Sequence, residues 1–150
     1  MEIERKFLLS HIPTLADLDS KQIKQAYIST SPVIRIRQLD NLYFLTVKSH
    51  GHMAREEFEM AISEEEFDTL LKKVDSNVIS KTRYYIPLHD NLTAELDIYY
   101  DNLEGLSTVE VEFSSIDEAN SFTPPNWFGL DVTDTKEYKN NYLALHGLPD

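Results

Sequence analysis

The sequence predicts an α+β domain in which a closed barrel of β-strands is partly sheathed by a few helices, and three observations carry that expectation. Eight stretches alternate apolar and polar residues with the two-residue period of a strand. Their polar positions are largely ionisable, with acids mixed among bases. Helical periodicity is confined to two or three short segments that open on capping signals.

The strands are expected near 2–9, 22–29, 33–39, 42–48, 53–61, 78–87, 93–100 and 107–114. Because alternate side chains of a strand point to one side, Glu2, Glu4 and Lys6 share a face, as do Arg35 and Arg37, then Arg55, Glu57 and Glu59. Lys81 and Arg83, Glu95 and Asp97, and Glu110 and Glu112 repeat the pattern. The opposite faces are apolar: Ile3 and Phe7, Ile34 and Ile36, Leu96 and Ile98, Val109, Val111 and Phe113. In the fourth strand Tyr43, Leu45 and Val47 oppose Thr46 and Lys48.

Ser63 with Glu66 matches a capping box, and Phe67, Leu70, Leu71 and Val74 follow at helical spacing, which predicts a helix over about 63–74. Ser115 with Glu118 predicts a shorter one that ends before the Ser121-Phe122-Thr123-Pro124-Pro125 stretch. Asp134 with Glu137 predicts a third, with Tyr138, Tyr142 and Leu145 on its apolar face and Gly147 and Pro149 at its end. Trp127 and Phe128 are expected to pack a loop against the barrel, and His50-Gly51-His52 to form a solvated hairpin turn.

At 150 residues, 41% apolar and 27% charged, with four Gly and six Pro, the chain reads as one folded domain over 1–150. The absence of Cys rules out disulfides, thiolate metal sites and a thiol nucleophile. Glu2, Glu4, Arg5 and Lys6 stand where a signal peptide needs an apolar run, and no stretch is long and apolar enough to span a bilayer, so a cytoplasmic protein is expected. A net charge of -12 argues against nucleic acid and anionic membranes as partners.

A solvated outer face of an antiparallel sheet would produce the same alternation strand by strand. Surface faces, however, tolerate Ser, Thr, Gln and Asn freely, whereas these faces carry acids and bases at nearly every position. A barrel with a charged lumen and an apolar exterior accounts for the whole set.

Glu2-Ile3-Glu4-Arg5-Lys6 matches the E-x-E-x-K signature of the CYTH superfamily, the triphosphate tunnel metalloenzymes. The resemblance continues through Gln25-Ala26-Tyr27-Ile28, Ile34-Arg35-Ile36-Arg37, Leu45-Thr46-Val47-Lys48, Arg55-Glu56-Glu57 and Lys81-Thr82-Arg83-Tyr84. Glu95-Leu96-Asp97, Gly105-Leu106, Val109-Glu110-Val111-Glu112-Phe113, Asp131-Val132-Thr133, Lys136, Tyr138 and Asn140 complete it in order. The chain looks like the short bacterial members. Gly51-His52-Met53-Ala54 departs from the commoner glycine-rich turn, which loosens the alignment at Arg55.

The resemblance implies an eight-stranded antiparallel tunnel that holds a triphosphate with divalent cations. It leaves the substrate open, since members hydrolyse inorganic tripolyphosphate, thiamine triphosphate or RNA triphosphate ends, and others are class IV adenylate cyclases. A homodimer would be typical of it.

The residues agree with such chemistry. A triphosphate crowds negative charge on neighbouring oxygens and needs converging cations. Lys6, Arg35, Arg37, Lys48, Arg55, Lys81, Arg83 and Lys136 are the candidate phosphate ligands in this acidic chain. Carboxylates in an anion site call for a hard cation, Mg²⁺ or Mn²⁺. Glu2/Glu4 and Glu110/Glu112 present carboxylates in pairs about 6.5–7 Å apart on one strand face, and are the candidate metal ligands. Lys48 or Lys81, with Tyr27 as partner, is the candidate base in an in-line attack of water. Glu57, Glu59, Glu95 and Asp97 are expected to order the bases or metal-bound water.

No P-loop motif and no Ser-His-Asp set competes. The leading expectation is therefore a metal-dependent triphosphatase. Its rivals are a class IV-like adenylate cyclase and a polyphosphate- or nucleotide-binding module without turnover.

Overall fold

A computed structural model describes residues 1–50 and 53–149. The His50-Gly51-His52 turn expected from sequence thus falls partly outside the described residues. Ten strands form one antiparallel sheet: β1 (Glu2–Leu9), β2 (Asp19–Thr30), β3 (Val33–Leu39), β4 (Leu42–Lys48), β5 (Ala54–Arg55), β6 (Glu57–Ile62), β7 (Ile79–Pro87), β8 (Thr93–Tyr99), β9 (Ser107–Glu112) and β10 (Phe128–Asp131). Three helices accompany them: α1 (Glu64–Leu71), α2 (Ile116–Ser121) and α3 (Asn140–His146).

The strands run β10-β1-β9-β8-β7-β2-β3-β4-β6, and β5 returns to β1 through Glu2↔Arg55 and Ile3↔Ala54. That return closes the ring. The expected strand 53–61 is broken at Glu56 into β5, which pairs with β1, and β6, which pairs with β4. Counted as one bent strand they complete the eight staves predicted from sequence. The additional β10 lies on β1 through Phe7↔Asp131 and Leu9↔Phe128.

β10 lacks the length and alternation that identify a strand. Its close approach depends on Gly129, where an added Cβ would stand 3.0 Å from the Leu9 carbonyl carbon and 3.1 Å from the Leu8 oxygen. Trp127 and Phe128, expected to pack a loop against the barrel, are both buried and meet edge to face at 4.5 Å.

Register sorts the side chains as the alternation predicted. Arg83 lies opposite Asp97, Glu95 opposite Glu110, and Glu110 opposite Lys6, all on the inner face. The outer face holds Ile3, Phe7, Leu96, Val109, Val111 and Phe113 in a cluster that α2, Trp127 and Phe128 cover. Each such buried side chain contributes about 1.5–3 kcal/mol. Arg5, facing outward, donates to the Ala119 carbonyl (3.0 Å) near the end of α2 and pairs with Asp131 (2.9 Å), joining α2 to β10.

The Ser63/Glu66 capping box forms and buries Phe67. The third helix is displaced from its expected start. A 3-10 turn at Lys136–Tyr138 intervenes, α3 begins at Asn140, and its buried face is Leu143 and Ala144, with Leu145 exposed. Asp134 does not cap it; Lys139 occupies the cap position and offers no side-chain hydrogen bond. Leu143 and Ala144 instead pack on Tyr27, Val33, Ile79, Tyr99 and Leu103. These are inward-facing residues at one end of the barrel, so α3 covers that end.

Candidate active site: a charged cavity inside the barrel

The lumen contains a cavity of about 240 Å³, and its walls are polar on every side. β1 contributes Glu2, Glu4 and Lys6; β3 contributes Arg35 and Arg37; β4 contributes Lys48; β5 and β6 contribute Arg55, Glu57 and Glu59. Arg83, Glu95, Glu110 and Glu112 come from β7, β8 and β9. Tyr27 of β2 completes the ring, and Thr133, Lys139 and Asn140 reach in from the C-terminal segment.

Ion pairs brace these walls. Lys48 Nζ lies 2.8 Å from Glu2 and 3.9 Å from Glu57. Arg55 reaches Glu2 at 3.5 Å and Glu4 at 3.6 Å. Arg35 Nη2 donates to Thr46 (3.2 Å) and lies 3.7 Å from Glu59. Arg37 Nε donates to the Gln25 amide oxygen (3.0 Å), and Gln25 in turn donates to the Tyr27 hydroxyl (3.2 Å). Arg35 Nε and Arg55 Nε are buried and, among the described residues, have no hydrogen-bond partner. Such donors are costly to leave unmet unless an acceptor arrives.

The carboxylates feel one another. Burial, then Glu110 and Glu2, push the Glu4 carboxyl up to about 8, while Glu110 is held well below the usual range because Lys6 and Arg83 overcome its burial. A carboxylate crowded in this way gains from a hard cation, so the donor set fits Mg²⁺ or Mn²⁺. Among the described residues no three carboxylates or histidines are gathered into a ready-made cation site. Glu2 is drawn instead toward Lys48 and Arg55.

Two of the expected phosphate ligands do not line the cavity. Lys81 is sealed beneath it at 1% exposure, its Nζ 2.8 Å from Asp97 and 5.2 Å from the centre of the Tyr99 ring. Burial, reinforced by Arg83 and Arg37, brings its ammonium down to about 7 against the attraction of Asp97. Among the described residues no hydrogen bond joins it to Tyr27, its expected partner. Asp97 also takes both Arg83 Nε (2.8 Å) and Nη2 (2.9 Å), and these bases hold it at about 2 despite complete burial. Asp97 thus contacts both Lys81 and Arg83.

Lys136 is exposed on the 3-10 turn, and Lys139 takes the cavity position. The sequence signal for Lys139 was its place directly before Asn140-Asn141, the first residues of α3. The expectation that the helix began at Asp134 concealed it.

A closed antiparallel barrel with bases and carboxylates facing across a small lumen defines a tunnel-type site for a compact polyanion. The CYTH domain profile matches residues 1–123, and the chain belongs to that family. It is 42% identical over 147 residues to an inorganic triphosphatase of Nitrosomonas europaea, covering 96% of this chain and 97% of that one. An inorganic triphosphatase of Acetivibrio thermocellus is 31% identical, over 95% of this chain and 92% of its own. A crystal structure of an inorganic triphosphatase superposes with a TM-score of 0.73 at 39% identity, covering 99% of this chain and 97% of that one. A Hippeastrum protein whose structure reveals a dominant triphosphatase activity shares the fold (TM-score 0.58, 15% identity, 80% and 83% covered).

Proposed function

We propose that this protein hydrolyses a triphosphate within the barrel, with inorganic tripolyphosphate as the substrate the site suits best. The supporting observation is the lumen, where Lys6, Arg35, Arg37, Lys48, Arg55, Arg83 and Lys139 converge on about 240 Å³ whose wall is mainly polar. A cavity of this kind favours a bare phosphate chain over one bearing a large apolar group.

Lys6, Arg35, Arg37, Arg55, Arg83 and Lys139 grip phosphate oxygens from the surrounding strands and the C-terminal segment. Buried guanidinium and ammonium groups in a low-dielectric site stabilise charge that develops on the transferred phosphoryl group. Glu4 and Glu110, with Glu2 and Glu112, would hold Mg²⁺ or Mn²⁺, which neutralises phosphate charge and lowers the pKa of water. Lys48 lines the cavity, and its ammonium is brought below its usual value by burial and by Arg35. It is therefore better placed than Lys81 to take a proton from the attacking water. Glu57, Glu59 and Glu95 hold the bases in position.

A cyclase reaction on this frame would release pyrophosphate and a cyclic nucleotide. The Cys-free composition supports a cytoplasmic setting, and nucleic acid is not an expected partner of so acidic a chain. The test is orthophosphate release from tripolyphosphate with and without Mg²⁺ or Mn²⁺, comparing wild type with Glu4→Gln. Metal-dependent release abolished by the substitution is expected. A folded protein that leaves tripolyphosphate, ATP and thiamine triphosphate untouched would overturn the reading.

A further inference from the structure

Lys139 differs from the other bases of the cavity. Arg35, Lys48, Arg55 and Arg83 each have a carboxylate within 4.0 Å. The Lys139 ammonium, among the described residues, has neither an ion pair nor a hydrogen bond, although it is half-buried, with the bases Arg55 and Lys6 and the acids Glu4 and Glu110 among the charges acting on it. Arg55 and Lys6 repel it while Glu4 and Glu110 draw it inward without reaching pairing distance, and a flexible four-carbon stem reaches the wall only if its backbone is held nearby.

What fixes its backbone is a contact made through Asn140, which itself lines the cavity. α3 has no side-chain cap of its own. Its first residue is held by Tyr99, a 1% exposed residue of β8 whose hydroxyl donates to Asn140 Oδ1 at 2.6 Å. The Asn77 amide donates to the Ala144 carbonyl (3.0 Å), and Lys6 Nζ donates to the Tyr138 carbonyl (2.6 Å), so the segment is tied on both sides of Lys139.

We propose that Tyr99 is a positioning residue of the triphosphate site: by latching Asn140 it sets the Lys139 ammonium at the cavity wall, where a bound phosphate chain gives it the ion pair it lacks. The latch rests on the triphosphatase reading for its ligand, and it makes the C-terminal helix part of the substrate grip. Tyr99→Phe retains the ring, its packing on Leu143 and its contact with Lys81, and removes only the hydroxyl. Asn140→Ala breaks the same bond from the other side.

The experiment measures tripolyphosphate kinetics for wild type, Tyr99→Phe, Asn140→Ala, Lys139→Ala and the Tyr99→Phe/Lys139→Ala double variant. Thermal shift with tripolyphosphate in EDTA reads binding independently of turnover. Each single variant is expected to raise KM roughly three- to tenfold, the range one lost hydrogen bond transmits, with kcat changed less than about twofold. The tripolyphosphate-induced rise in Tm shrinks in parallel. The double variant matches Lys139→Ala alone, because Tyr99 acts through Lys139.

Additive losses in the double variant, or an unchanged KM in both folded latch variants, would overturn the proposal. Should Tyr99→Phe fail to fold, Asn140→Ala with and without Lys139→Ala decides, because Asn140 itself lines the cavity and only non-additivity with Lys139 reports the latch. A wild type that binds tripolyphosphate without hydrolysing it would end the hydrolase reading while the thermal shifts still judge the latch.

Discussion

Two groups of charges share the inside of this barrel, and they are built on opposite lines. On β7 and β8, Lys81 and Asp97 are closed to solvent, and Asp97 joins Lys81 to Arg83, which lines the cavity, by contacts of 2.8 to 2.9 Å. Around the cavity, Glu4 meets Arg55 at 3.6 Å, Glu110 meets Lys6 only at 4.0 Å, and Lys139 meets no partner among the described residues. The first group has settled its charges within the chain. The second, apart from the Lys48–Glu2 pair at 2.8 Å, keeps charges of both signs at longer range and open to a ligand, which is how a binding site differs from a buried structural network.

The largest effect that would break this comparison is at Asp97. Asp97→Asn leaves two buried bases facing each other, and chemical denaturation should show a loss of about 3–5 kcal/mol. If the loss is under about 1 kcal/mol, β7–β8 is not the settled half. Arg35→Ala, on the cavity side, should lower kcat/KM for tripolyphosphate by roughly 10–100-fold through lost charge-assisted contacts. Its effect on the Tm of the ligand-free protein should be much smaller than that of Asp97→Asn.

Glu4→Gln sharpens the contrast. It should abolish metal-dependent hydrolysis yet leave ligand-free stability at pH 7 unchanged or higher, because it replaces a carboxyl that burial and its neighbours already push up to about 8. A large loss of stability would assign Glu4 to the structural set.

Acid distinguishes the two groups further. Asp97 is held at about 2 in the fold, below its ordinary 3.8. Its contribution is therefore fully present above about 4 and disappears as pH falls through 2. Stability measured from pH 5 to 2 should fall less steeply in Asp97→Asn than in wild type. The smallest effect lies outside the barrel: Ser63→Ala, which opens the capping box of α1, should cost about 1 kcal/mol and leave catalysis unchanged.

Much of this contrast was written in the alternation of the strands. A period of two places Glu2, Glu4 and Lys6 on the same side as Glu110 and Glu112 whatever the connections between them, so the inner face could be read without knowing the topology. What could not be read depended on depth and on chain reversal. Alternation puts Lys81 inside but does not say that Asp97 and the Tyr99 ring seal it below the cavity floor. The capping rule favoured Asp134, but the 3-10 turn took up Lys136–Tyr138 and moved the inward-facing base three positions on, to Lys139. β10 escaped notice because four residues around a glycine that must lie flat against β1 carry no alternation to detect.

β1 pairs with β5, β9 and β10, and its Lys6 amide donates to Thr133, 127 positions further along the chain. Contacts of such long range form late, since the intervening chain must be ordered before they repay the cost of closing the loop. During synthesis, Glu2, Glu4 and Lys6 emerge first; their β5 neighbours follow by residue 55, but those of β9 and β10 come only with the last third of the chain. A nascent chain stalled before β9 has most of its strands and no closed tunnel, so triphosphate binding is a test of whether the barrel has been completed.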